Sequence, residues 1–256
     1  MVIFLLSSFS RVGLEERQVI VMVTRSVELV VVRHAETANN KARVLQGQLD
    51  TPLSDQGLEQ AECVGNYLKD ITFSHAISSG LSRALETGKA IVNSNTSLKG
   101  KEIELSTLLL DRNCGEFEGQ AIDVWKQAMA EVGGENWTYD DDAVRNWCPK
   151  GGESEVQLRD RVRQFLEELC KKTMTLPSSE DLRFLVTTHF GIVMQICLLL
   201  QREHSCSFPA GQAPRPKGPP NTAVTRISLV LDEEGKIVTA DCTLLYYNGH
   251  LKELES

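Results

Sequence analysis

The chain has 256 residues, 41% hydrophobic and 24% charged, with a formal net charge of -8, the make-up of a water-soluble globular protein able to bury a sizeable core. The acidic balance supplies no basic footprint for nucleic acid, so a small anionic partner would have to be held by a local cluster of cations. Seven scattered cysteines without metal-ligand spacing point to a reducing, cytoplasmic setting and not to a disulfide framework.

The opening MVIFLLSSFSRVG has no basic segment before its apolar stretch, which is too short to span a bilayer. Residues 1–26 therefore read as a poorly ordered leader and 27–256 as one domain, with no transmembrane span. VELVVV at 27–32 is a buried strand that stops at Arg33-His34. Ser54 before Asp55, with Leu58, Ala61, Val64 and Leu68 in register, predicts a capped amphipathic helix. Residues 75–78 are a short strand, Leu81, Ala84, Leu85, Gly88 and Ile91 line a further helix, and a third strand is expected around 104–110. The long excursion 116–154 carries Trp125, Trp137, Tyr139 and Trp147 and is the natural lid or specificity insert, with the tryptophans as its small core.

Leu158, Val162, Phe165, Leu166 and Leu169 mark a long helix, followed by a strand at 184–188 and a helix at 192–201. FPAGQAPRPKGPP at 208–220 is a loop, after which 224–229 and 237–246 pair as a hairpin. Alternation of this kind implies an α/β fold, a three-layer α/β/α sandwich on a mostly parallel mixed sheet.

Ligands of open parallel sheets bind beyond the carboxyl ends of the strands. Here those ends carry Arg33-His34, then Ser79 to Arg83, then Asp111-Arg112, then Thr188-His189. Two histidines, two or three arginines and a carboxylate at one edge fit phosphoryl transfer through a histidine, because the group in flight keeps its negative oxygens and needs donors around it. His34 is the candidate nucleophile, Arg33, Arg83 and His189 the candidate phosphate clamp, and Asp111 the candidate proton donor. These side chains supply the charge, so no metal and no other cofactor is expected.

The motifs R-H-A-E-T-x-x-N at 33–40, Gln46-Gly47, S-x-L-x-R at 79–83, D-R-x-x-G-x-x-E-G at 111–119, G-G-E-S at 151–154 and T-H-F-G at 188–191 resemble those of the histidine phosphatase superfamily, the phosphoglycerate mutase-like fold. VLQGQLDTPLSDQGLEQA, the PAG at 209–211 and Pro220-Asn221-Thr222 look most like its TIGAR, or fructose-2,6-bisphosphatase-like, branch. The resemblance implies His34 as nucleophile, Asp111 as proton donor, and Arg33, Asn40, Arg83 and His189 around the phosphate, with Gln46, Gly47 and the backbone of Phe190 and Gly191 nearby. It implies a metal-independent phosphatase for a small phosphorylated metabolite, a sugar bisphosphate or a phosphoglycerate. A phosphoglycerate mutase and a catalytically weak binding module are the alternatives. Three positions differ from the family pattern: Ala35 stands for a usual glycine, Asp111 for a glutamate, and Phe190 for a small residue.

Overall fold

The computed structural model describes residues 25–136, 138, 141–177, 182–214, 218–252 and 254. Six strands, β1 (Arg25–Arg33), β2 (His75–Ser78), β3 (Glu104–Leu105), β4 (Leu182–Thr188), β5 (Val224–Leu231) and β6 (Ile237–Tyr247), form one sheet in the order β3-β2-β4-β1-β5-β6. The first four in that order run parallel, and β5 and β6 close the edge antiparallel as the expected hairpin. Of the leader expected over 1–26, residues 1–24 lie outside the described residues, and its last two, Arg25 and Ser26, belong to β1 instead, paired with Leu231 and Val230 of β5.

The helices are α1 (Ala38–Lys41), α2 (Asp55–Leu68), α3 (Ser82–Ser94), α4 (Ile122–Gly133), α5 (Asp142–Asn146), α6 (Glu155–Thr175) and α7 (Phe190–His204). Strand alternation decides which of them covers which face. Val27, Leu29 and Val31 of β1, with Phe184 and Val186 of β4, pack against Val162, Phe165 and Leu166 of α6 and Ile192 and Ile196 of α7. Val30, Val32 and Leu185 point the other way, onto Val64 and Leu68 of α2 and Ile91 of α3. Burial on both faces is why these strands read as unbroken apolar runs, and it makes the fold a three-layer α/β/α sandwich.

Ser54 caps α2 as expected, accepting the Gly57 N–H at 3.0 Å. Two sequence expectations shift. Leu58 is half exposed, while Gln60 takes a buried place and accepts the Glu36 N–H at 3.0 Å. The strand expected over 104–110 pairs only at Glu104 and Leu105 before a 3-10 turn at Thr107–Leu109.

Candidate active site

The parallel order of β2, β4 and β1 brings His34, Ser79, Arg83 and His189 to one edge. The His34 N–H donates to Thr188 O at 2.8 Å, carrying the β1–β4 ladder one residue past the strand. Its Nδ1 lies 2.7 Å from Ala35 O. A carbonyl only accepts, so Nδ1 holds the ring proton and the lone pair sits on Nε2. The His34 carbonyl is held in turn by the Thr222 N–H at 3.3 Å and Asn221 Nδ2 at 3.0 Å. Ala35 is buried, lies outside the positive-φ residues and donates its N–H to Thr87 Oγ1 at 3.0 Å, so the residue in the usual glycine position sits without backbone strain.

Two guanidiniums and a second imidazole surround this nitrogen. Arg83 is fully buried and reaches Leu49 O at 2.8 Å, Gly47 O at 2.7 Å and Asp111 Oδ2 at 3.2 Å. Arg33 donates to Pro219 O at 2.9 Å. The His189 ring is 5.3 Å from that of His34, with its Nε2 2.8 Å from Ser79 Oγ and its Nδ1 3.7 Å from Asp111 Oδ2. Arg33 Nε, Arg83 Nε and His189 Nδ1 are buried with no hydrogen-bond partner among the described residues. Unpaired buried polar atoms are uncommon in folded proteins, and these three lie in one cluster.

Burial, reinforced by Arg33 and Arg83, holds both His34 and His189 well below the ordinary imidazole pKa, so both rings are neutral. Arg33 is itself lowered to about 10, chiefly by burial. Burial raises the Asp111 carboxyl, against the opposing pull of Arg83, the Arg112 N–H and Arg33. A carboxyl with a raised pKa thus stands in one cluster with a neutral imidazole that has a free lone pair, a pairing suited to acid and nucleophilic chemistry.

The loop that carries Asp111 is clamped by Arg161, which the sequence did not single out, with Glu153 and Gln48, which it noted only within longer motifs. Arg161 of α6 donates to Leu108 O, Leu110 O and Asp111 O at 2.8, 2.7 and 3.2 Å and pairs with Glu153 at 2.6 Å. Glu153 also accepts the Asn113 N–H at 2.8 Å, and Gln48 Nε2 donates to Asp111 O at 3.1 Å. Arg112 is not part of the cationic cluster. It turns away to Glu153 O and Glu155 and lies 4.8 Å over the Trp125 ring.

Asn40 and Gln46 have their side-chain oxygens occupied. Asn40 Oδ1 accepts from Thr37 N at 3.1 Å in a capping box, and Gln46 Oε1 accepts from Thr37 Oγ1 at 2.9 Å and Thr51 Oγ1 at 2.7 Å. Their NH2 ends remain as the donors. Gly47 has φ +52°, and a β-carbon there would overlap the Glu118 carboxylate, which accepts the Gln48 and Cys114 N–H groups at 2.8 and 3.0 Å. Helix α7 begins at Phe190 with no side-chain cap, and a β-carbon on Gly191 would stand 3.8 Å from Asp111 Oδ1. The Phe190 ring is neither in the insert nor inside the site. It is partly exposed, 5.4 Å from the Arg33 guanidinium, and packs beside Gly218 of the 208–220 loop.

Trp125, Met129 and Val144 of the insert form a small core with Cys114 just before it, with Phe117 and Trp147 against it; Trp137 and Tyr139 lie outside the described residues. Burial pushes the Cys114 thiol far up, which makes it inert.

The model of the histidine phosphatase superfamily (branch 1) matches residues 29–239. The chain belongs to this superfamily. It is thereby a phosphomonoester hydrolase with a histidine nucleophile. Fructose-2,6-bisphosphatase TIGAR B of Danio rerio is 29% identical over 260 residues, covering 89% of this chain and 97% of its own length. A glucosyl-3-phosphoglycerate phosphatase of Mycolicibacterium vanbaalenii is 31% identical over 67% of this chain and 73% of its own. The crystal structure of a phosphoglycerate mutase from Bacillus anthracis superposes with a TM-score of 0.74 at 21% identity, covering 91% of this chain and 98% of that one, a likeness of fold.

Proposed function

We propose that His34 is the nucleophile and Asp111 the proton donor of this phosphatase, and that its substrate is a sugar bisphosphate such as fructose 2,6-bisphosphate or a phosphoglycerate. The observation that carries the reading is the 2.7 Å contact of His34 Nδ1 with Ala35 O, which leaves Nε2 unprotonated beside Arg33, Arg83 and His189. His34 Nε2 attacks phosphorus in line while the phosphoryl oxygens lie against the guanidiniums and His189. Asp111 gives its proton to the departing alcohol oxygen, then takes one from the water that hydrolyses the phosphohistidine. The substrate class rests on the named activities of the relatives. A mutase would need a water-tight lid to retain the phosphoryl group. The insert's Lys126 and Arg145 instead pair with Asp123 and Asp142 on its exposed face, which favours hydrolysis.

The test is a phosphatase screen over sugar bisphosphates, phosphoglycerates and an aryl phosphate. Wild type should turn over the aryl ester and at least one metabolite and carry an acid-labile phosphate in quenched reactions. His34→Ala should lose both, since nothing else in the cluster replaces the in-line imidazole nucleophile. Full activity in His34→Ala would refute the assignment.

A further inference from the structure

Ser79 belongs to the S-x-L-x-R stretch, in which the superfamily reading gives the arginine its task and leaves the serine unassigned. It is fully buried. Its backbone is fixed by the ends of β4 and β2, since its N–H donates to Thr187 O at 3.0 Å and its carbonyl accepts from Ser78 Oγ at 2.8 Å. Among the described residues its hydroxyl has two partners: the Leu81 N–H, which donates to Oγ at 3.3 Å, and His189 Nε2 at 2.8 Å.

The inventory of protons at this pair is restrictive. Leu81 occupies one lone pair of Oγ, and the hydroxyl hydrogen needs an acceptor. The one within reach is His189 Nε2, and only if that nitrogen is unprotonated. Were Nε2 the protonated nitrogen, the hydroxyl hydrogen would be buried without an acceptor among the described residues. With the proton on Nδ1, Ser79 donates to Nε2, and the unpartnered N–H of His189 points to the cluster that holds Asp111, Arg33 and Arg83. An N–H there binds a phosphoryl oxygen; a lone pair there repels it.

We infer that Ser79 is a positioning residue that fixes His189 as the Nδ1–H tautomer, so that its free N–H is aimed at the phosphoryl group. Both histidines of the site are then set the same way, each with a protonated Nδ1, but by different devices: a backbone carbonyl for His34 and a serine hydroxyl for His189. Consequences for turnover rest on the phosphatase reading above, whereas the tautomer itself does not.

The experiment is long-range proton–nitrogen correlation NMR of the full chain labelled with nitrogen-15 in its histidine rings. There are five histidines, and the His189 signals are those lost in His189→Gln. Wild-type His189 should show a protonated Nδ1 and an unprotonated Nε2. In Ser79→Ala the ring should move to the other tautomer or to a mixture, and kcat on an alkyl phosphate should fall by about 10- to 100-fold, the usual effect of losing a hydrogen bond that orients a functional histidine. Ser79→Thr, which keeps the hydroxyl, should restore the tautomer and most of the rate. A protonated Nε2 on His189 in the wild type, or an unchanged tautomer in Ser79→Ala, would overturn the inference. Failure of the phosphatase reading would appear separately, as a wild type that neither turns over nor becomes labelled whatever the tautomer of His189.

Discussion

At the scale of single residues, the environment divides labour between two titratable groups. Burial raises Asp111 and lowers His34, so each keeps its useful proton state over a wider range than the free side chain would. Asp111 must be protonated to serve as the acid. Because its pKa is raised, the protonated form persists to higher pH than in free aspartate, and kcat/KM on an alkyl phosphate should fall on the alkaline side as that proton is lost. His34 must be neutral to attack, and its lowered pKa carries activity below the ordinary imidazole value of 6.5. Asp111→Asn should cost ~100- to 10,000-fold on alkyl phosphates, the common worth of general acid catalysis, and far less on an aryl phosphate whose leaving group departs unaided. It should also flatten the alkaline limb. Rate measurements on both ester types across pH decide the matter: equal, small losses on both would place the proton donor elsewhere. The other two carboxylates of the loop are engaged: Glu116 accepts the Lys150 N–H, and Glu118 accepts two backbone N–H groups.

At the scale of elements, the Asp111 loop shows what the sequence could and could not reveal. The strands were legible because helices on both faces turn them into unbroken apolar runs, and the main candidate residues were legible because a parallel sheet delivers its strand ends to one edge. The stretch 104–110 misled for the same reason. Leu109 is buried, so the run reads as a strand, yet its carbonyls are bonded by side chains from elsewhere: Thr188 Oγ1 reaches Leu109 O at 2.9 Å, and Arg161 reaches Leu108 O and Leu110 O. Arg161 itself was invisible, since an arginine on an amphipathic helix reads as solvated and its partners lie about 50 residues away. Asn221 was noted only as part of the Pro220-Asn221-Thr222 motif; its bond to the His34 carbonyl, 187 residues off, was not legible there. The clamp has a testable worth. Arg161→Ala frees three carbonyls and leaves Glu153 without its cation, so the loop should shift. A misplacement of about 1 Å can cost ~100-fold in rate, and kcat on alkyl phosphates should fall toward that figure with little change in KM, together with a lower Tm. Arg161→Lys keeps the charge without the fork and should fall between. An unchanged kcat in folded Arg161→Ala would mean that the loop holds its place without the clamp.

At the scale of the whole molecule, the insert of 116–154 is tied to the sandwich by backbone bonds to residues 43–45 and by an aromatic joint. Phe117, Trp125 and Trp147 pack edge to face, with ring centroids 5.5 to 5.7 Å apart, and the Arg112 guanidinium lies on the Trp125 ring at 4.8 Å. Arg112 is also bonded to Glu153 O at 3.1 Å and Glu155 at 3.1 Å, and Glu155 accepts Gln195 of α7 at 2.6 Å. The joint is thus anchored to the sandwich independently of the tryptophan, which separates the stability of the insert from the placement of Asp111. Trp125→Ala removes the centre of a core of few residues, and truncation of a buried tryptophan commonly costs ~3–5 kcal/mol, more than so small a cluster can absorb. The insert should therefore open locally while the sheet stays folded. Hydrogen exchange should quicken in α4 and α5 and remain slow in β1 and β4. If the insert closes over the substrate as a lid, KM for the metabolite substrate should rise, because its body beyond the phosphate loses a wall, while turnover of a small aryl phosphate, held by Arg33, Arg83 and His189 alone, should change little. A Trp125→Ala protein with faster exchange in α4 and α5 but unaltered KM for the metabolite would deny the insert any part in substrate binding. Equal losses on both substrates would instead show that the joint reaches Asp111 through Arg112.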